Sequence, residues 1–410
     1  MKTHTECRVC GSEIKEIMDF GPMPLANALT PDAQSALNAP RFEQKLMLCE
    51  SCRLGQLSLT VPPGILYKDY VYKSSVSAVF REHCKDFAGS LKTAGLDYPE
   101  RRGVIVDIAG NDGCLANAIL EKFPSARVFV VDPAQTDEPG GYRKIRAFWN
   151  AETAEKFILE NGKAGIITAQ NVVGHVDQVV EFFRGVRNAL HENGLFVVEV
   201  PSFVHMLFNG AWDTVYHEHL SYWSVSAMIA LAGRTGFDVR NVMFYPNLHC
   251  GTLRFWMTPG TGFKHKTEVF QGMLDDEERF FSNPVNLSDF RLAAELSAIR
   301  ALKLIESVGG FSEIIGVTAS AKSNVFLNYM ESFREPRAFL QPFHDSLSYL
   351  VDDAETKHGK FSPGVGLEIM PFTEDSVRGA DIALILSRNI TVPMIEKLRW
   401  LGFRGQVFAV

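Results

Sequence analysis

The chain has 410 residues, a length that suits two or three domains at roughly 150 residues each. Its 41 basic and 48 acidic residues leave a net charge of −7, which argues against a nucleic-acid partner, because neutralising phosphates takes a basic face. With 46% hydrophobic and 22% charged residues the composition is globular, and no apolar run approaches the roughly 18 residues that a membrane span needs. Met1-Lys2-Thr3-His4-Thr5-Glu6-Cys7 has no apolar core, so no signal peptide, no membrane partner and a cytoplasmic location are expected.

The first 60 residues read as loop-rich, with Gly and Pro punctuation at Phe20-Gly21-Pro22-Met23-Pro24. They carry four of the seven cysteines, as Cys7-Arg8-Val9-Cys10 and Cys49-Glu50-Ser51-Cys52. Two thiolates two residues apart reach one ion when the backbone turns tightly, and two such pairs close a tetrahedron. Gly11 suits the first turn. The reading is a structural Zn2+ held by Cys7, Cys10, Cys49 and Cys52, with iron or four unrelated thiols as the alternatives. A metal would stabilise a segment too small to bury much core.

A helix is predicted from about Ser77, with Val79, Phe80, Cys84, Phe87 and Leu91 at helical spacing. Strands follow at 103–109, 127–131, 164–169 and 194–200, with a helix over 179–190. Strands alternating with helices indicate a doubly wound parallel sheet. Two more strands are expected at 237–244 and 252–257, then a long helix over 288–308. Residues 311–410 repeat the alternation as a second α/β unit, read as distinct from the first. Its expected strands are 313–318, 347–351, 381–386 and 406–410, and its helices 324–333 and 392–401.

The first strand runs as Val104-Ile105-Val106-Asp107-Ile108-Ala109 into Gly110-Asn111-Asp112-Gly113 and a helix. Nucleotide-type cofactors bind at such a turn, outside the carboxyl ends of the strands. Val131-Asp132-Pro133 ends the next strand with an acid of the kind that accepts ribose hydroxyls. An Asp on the first strand plus an acid on the second is the pattern of S-adenosylmethionine methyltransferases. Gly110 would let the backbone approach the cofactor, and Asp107 or Asn111 would neutralise its amino-acid end. Gly113 opens the helix. After the strand 164–169, Asn171 and His175 are offered to the same crevice. An ordinary strand–turn–helix is the alternative.

Residues 212–224 are dense in proton-transfer groups: Tyr216-His217-Glu218-His219 with Tyr222 close behind. The spacing is wrong for a zincin, which needs H-E-x-x-H on a helix. An extended run would put His217 and His219 on one face and Glu218 on the other. The preferred reading is a general base with an orienting partner; a polar surface loop is the alternative.

Several motifs, taken in order, resemble the sugar C-methyltransferases of deoxysugar biosynthesis along nearly the whole chain. They are the two knuckles with Pro22-Met23-Pro24-Leu25-Ala26-Asn27 between them, Tyr70-Val71-Tyr72-Lys73-Ser74-Ser75, Asn111-Asp112-Gly113, Tyr216-His217-Glu218-His219-Leu220-Ser221-Tyr222, His249-Cys250-Gly251-Thr252-Leu253-Arg254, Ser320-Ala321-Lys322-Ser323-Asn324, and Asp352-Asp353 with Gly359-Lys360-Phe361-Ser362-Pro363-Gly364. The resemblance implies a zinc-binding head over 1–65, a Rossmann-like S-adenosylmethionine domain over 66–290, and a C-terminal α/β domain over 291–410 that closes over a nucleotide sugar. It implies that His219 takes the C-3 proton of a nucleotide-linked 4-keto sugar. Tyr216 and Glu218 would be its neighbours, and His175 with Tyr70 or Tyr72 would complete the pocket. Ser74, Ser75 and Lys322 would contact phosphate, and Tyr222 would line the substrate site. Two positions depart from the family pattern: Gly110 stands where Ser is common, and Ser387-Arg388-Asn389 where Trp-Asn is common.

The expected activity is therefore C-methylation from S-adenosylmethionine, by a monomer or weak homo-oligomer. Two other readings remain beside it. One is a methyltransferase of the same build acting at oxygen or nitrogen. The other is a zinc-headed binding module without catalysis.

Overall fold

The computed structural model describes residues 1–66, 78–94, 101, 103–134, 140–248, 251–260, 268–308, 313–333 and 347–410. Among them no helix is long and apolar enough to cross a membrane. Three main sheets organise the molecule.

The first is a four-stranded antiparallel sheet, and it corrects the expectation of a loop-rich head. Lys15–Pro24 pairs with Arg41–Leu48, which pairs with Gly55–Leu57. The fourth strand, Ser221–Tyr222, comes from the dense polar run far along the chain. Register shifts at Glu16/Met18 and Asp19/Pro22 absorb the positive φ of Gly21 (72°) and the missing donor of Pro22. The head also buries more core than its length suggested. Ile17, Phe20, Met23, Leu46 and Leu57 join one cluster with Trp212, Phe326 and Leu350 from the rest of the chain.

The central sheet has seven strands, in the order Phe237–Tyr245, Thr252–Pro259, Leu190–Pro201, Ala164–Gln170, Val104–Ile108, Arg127–Val131 and Arg143–Ile145. The last five are parallel and the first two antiparallel. Val104–Ile108 is buried at every position, as expected of a parallel strand covered by helices on both faces. Cys114–Lys122 follows its turn, and Ala78–Ala94 packs beside it. Within that second helix Phe87 and Leu91 face inward as predicted, but Val79 is 71% exposed. Its first-turn position leaves it beyond the edge of the covered face.

The third sheet has five parallel strands, ordered Ile369–Pro371, Tyr349–Asp352, Ile314–Val317, Ile382–Ile385 and Gln406–Ala409. It shares one detail with the central sheet. Asp132 accepts Asn111 N–H (2.9 Å) and Ala134 N–H (2.7 Å); Asp352 accepts Ala319 N–H and Ala354 N–H, both at 3.0 Å. In both sheets an acid at the end of one strand holds the turn of its neighbour. The helix Pro284–Val308 runs through residue 290 without a break and buries Phe290, Ala294, Ala298 and Ala301.

Candidate active site

In the head, the Cys7 and Cys52 sulfurs lie 3.5 Å apart and those of Cys10 and Cys49 3.4 Å apart. All four sulfurs fall within 4.8 Å of one another. The two knuckles match in backbone. Gly11 N–H bonds to Cys7 O and Arg53 N–H to Cys49 O, at 2.9 and 2.8 Å, with φ of 77° and 63°. Four converging thiols fit a closed tetrahedral zinc site.

At the first turn of the central sheet, Ala109, Asn111 and Gly113 all have positive φ, at 56°, 50° and 89°. Such backbone is uncommon for residues other than Gly and clusters where function requires it. A Cβ at Gly110 would lie 2.4 Å from Asp107 Oδ2, and one at Gly113 2.3 Å from the Tyr142 ring. Asp107 takes the Thr168 hydroxyl at Oδ1 (2.7 Å), while Oδ2 makes no hydrogen bond among the described residues. Burial pushes its carboxyl up to about 7. A cavity here is lined by Phe80, Asp107, Ala109, Gly110, Cys114, Leu115 and Gln170. Asn171, also at positive φ (54°), has a buried Oδ1 without a hydrogen-bond partner among the described residues. These bare acceptors fit the ammonium end of S-adenosylmethionine, while Asp132, followed by exposed Pro133, is buried just after Arg127–Val131.

The dense run is not an extended strand, which corrects the predicted His217/His219 face. Trp212–Thr214 forms a single 3-10 turn and only Ser221–Tyr222 is extended. His219 Nδ1 lies 2.8 Å from Thr214 O. A carbonyl only accepts, so Nδ1 carries the ring proton and Nε2 bears the lone pair. Tyr216 O–H meets that Nε2 at 2.8 Å. The His175 ring, on the turn after Ala164–Gln170, is 5.0 Å from the His219 ring. Burial pulls His175 down to about 4, so it is neutral near pH 7.

His217 turns away, with Nε2 3.2 Å from Glu43 O. Glu218 is 6% exposed and accepts from Asn27 Nδ2 at 2.7 Å. Burial lifts its carboxyl to about 7. Tyr222 is buried and points its hydroxyl at Thr214 O (3.4 Å). Lys322, beside the helix start capped by Ser320, donates to Asn389 Oδ1 at 3.2 Å. Tyr70, Tyr72, Ser74 and Ser75 lie outside the described residues.

Sequence reasoning passed over Asn27 as a partner of Glu218, although its motif was in view. It also passed over Glu199, a buried acid at the end of Leu190–Pro201. Glu199 is bound by His83, Gln170 and Arg254. Its own strand reads as a plain apolar run, so no local pattern marks it.

Three family models match in succession: a zinc binding domain over residues 7–67, a methyltransferase domain over 80–242, and a C-methyltransferase C-terminal domain over 247–410. The C-methyltransferase NovU of Streptomyces niveus is 25% identical over 401 residues, covering 95% of this chain and 91% of that one. Among solved structures, the mitomycin 7-O-methyltransferase MmcR aligns at 17% identity and a TM-score of 0.32, over 45% of this chain and 56% of that one. An S-adenosylmethionine-dependent methyltransferase from Clostridium acetobutylicum aligns at 12% identity and a TM-score of 0.33, over 48% of this chain and 96% of that one.

Proposed function

The chain is an S-adenosylmethionine-dependent C-methyltransferase with a zinc-binding head, and from that premise we propose that it methylates C-3 of a nucleotide-linked 4-keto-6-deoxy sugar. The observation that carries this reading is the Thr214–His219–Tyr216 chain, because methylating a carbon beside a ketone needs a base to remove its C–H proton. S-adenosylmethionine supplies the electrophilic methyl group when bound at the Asp107–Gly113 turn.

His219, its proton held on Nδ1 by Thr214, offers Nε2 to the C-3 proton beside the ketone. The Tyr216 hydroxyl already lies within a hydrogen bond of that nitrogen and would turn toward the enolate oxygen as charge develops. Glu218 holds its proton near neutrality and would bond a sugar hydroxyl, and neutral His175 closes the pocket. The C-terminal unit would hold the nucleotide, with Lys322 facing the diphosphate beside a capped helix start. The family resemblance adds Tyr70 or Tyr72, and Ser74 and Ser75, to the sugar and phosphate contacts.

The test is transfer of a labelled methyl group to a panel of 4-keto-6-deoxy nucleotide sugars. The label is expected on C-3, and His219→Asn should lower kcat at least about 100-fold while leaving cofactor affinity within about twofold. Label on oxygen or nitrogen, or full turnover by His219→Asn, would overturn the proposal.

A further inference from the structure

We infer that Gln170 receives the α-ammonium of S-adenosylmethionine at Oε1, and that Glu199 is the positioning residue that decides which way the Gln170 amide points. This deepens the reading of the Asp107–Gly113 turn as the cofactor site and rests on it.

Gln170 ends the strand Ala164–Gln170 and lines the same cavity as Asp107 and Gly110. An amide side chain has two donors on one atom and an acceptor on the other, so its orientation decides what it can bind. Here Nε2 donates to Glu199 Oε2 at 2.6 Å. That leaves Oε1 as the atom for a ligand, and its one protein contact among the described residues is the Cys84 thiol at 4.0 Å. Two acceptors therefore belong to residues lining the cavity: Gln170 Oε1, and Asp107 Oδ2, which has no hydrogen-bond partner among the described residues. A cationic group with several N–H donors complements that pair. An anion or a second carbonyl would be repelled by it.

Glu199 is held so that it cannot release the amide. It is fully buried, and its two oxygens take His83 Nε2 at 3.1 and 2.8 Å and Arg254 Nε at 2.5 Å. Arg254 is itself wholly buried. It lies between the rings of Phe87 (4.3 Å) and Tyr245 (4.5 Å), with Nη1 on Ser90 Oγ at 3.0 Å. An ion pair taken this far from water gives little net stability, since desolvation offsets the attraction. Its worth here is orientation: a carboxylate at this point accepts only, so it fixes Nε2 toward itself.

The test compares two ligands on the zinc-loaded full chain by calorimetry. S-adenosylhomocysteine carries the ammonium; 5′-methylthioadenosine shares the adenosine and thioether but lacks the amino acid. Gln170→Met keeps the shape and removes the acceptor. It should weaken S-adenosylhomocysteine about tenfold or more and leave methylthioadenosine within about twofold. Glu199→Gln should give a smaller loss with the same selectivity, because an amide there no longer dictates the flip of Gln170. If Glu199→Gln fails to fold, Gln170→Met decides the question alone. An equal loss for both ligands, or no loss, would overturn the inference. Failure of the unaltered protein to bind either ligand would instead overturn the cofactor site itself.

Discussion

Glu218 and His219 are neighbours in sequence, yet their environments divide the work between them. His219 keeps a defined proton on Nδ1 because Thr214 O accepts it. Glu218 is buried against one hydrogen bond, from Asn27, and its carboxyl rises from the ordinary 4.5 to about 7. The sign of the stability effect follows. Below about pH 4.5 the native and unfolded chains both hold the proton. Between 4.5 and 7 only the native chain holds it, so stability falls as pH rises, and above 7 the buried charge costs in full. Glu218→Gln removes that cost. It should raise stability by about 1–3 kcal/mol at pH 8 and leave it nearly unchanged at pH 5. Denaturant unfolding of both proteins at the two pH values checks this; an equal difference at both would refute burial as the cause.

At the scale of elements, the head sheet carries more than a metal. Its strand Gly55–Leu57 pairs with Ser221–Tyr222, and Asn27 reaches Glu218, so the head borders the proton-transfer run directly. Cys10→Ser, or removal of zinc by a chelator, should lower the melting temperature and the turnover together. Metal content by mass spectrometry, read beside thermal unfolding and kcat, tests the coupling; loss of zinc with unaltered kcat would break it. This sheet is also where the sequence was hardest to read. The inner parallel strands of the other two sheets are buried on both faces and stand out as apolar runs, Val104–Ile108 above all. In Lys15–Pro24 the register shifts and Gly21 break the alternation, and the fourth strand lies more than 160 residues away. The site divides likewise. The residue types Cys, Asp and His announce themselves with their turns. The shape of the 212–219 run, the Gln170 flip and the Glu199 anchor depend on partners distant in sequence, which no local pattern encodes.

The whole molecule closes around one side chain. Trp212 is 2% exposed and opens the 3-10 turn that leads to Tyr216 and His219. It stacks on Phe326 of the C-terminal unit at 5.4 Å and lies 5.0 Å from Tyr329. Phe20 of the head approaches it at 6.3 Å. Its Nε1 donates to Ser297 Oγ on the long helix at 3.1 Å. Head, central unit and C-terminal unit therefore share this residue, and Thr214, which holds the His219 proton, is two positions away. Trp212→Ala would leave a large cavity at the junction and should cost about 3–5 kcal/mol. Its effect on chemistry separates packing from positioning. The proposed cofactor turn at Asp107–Gly113 sits on the central sheet, where Ile108 belongs to a different core cluster from Trp212, so S-adenosylhomocysteine affinity should hold. The loop that carries His219 loses its anchor, so kcat should fall at least about tenfold. Trp212→Phe, which keeps most of the stacking but drops the bond to Ser297, should retain most of both. Unfolding, calorimetry and turnover on the two variants read these apart, and an unaltered kcat in Trp212→Ala would show that the loop is held by other contacts.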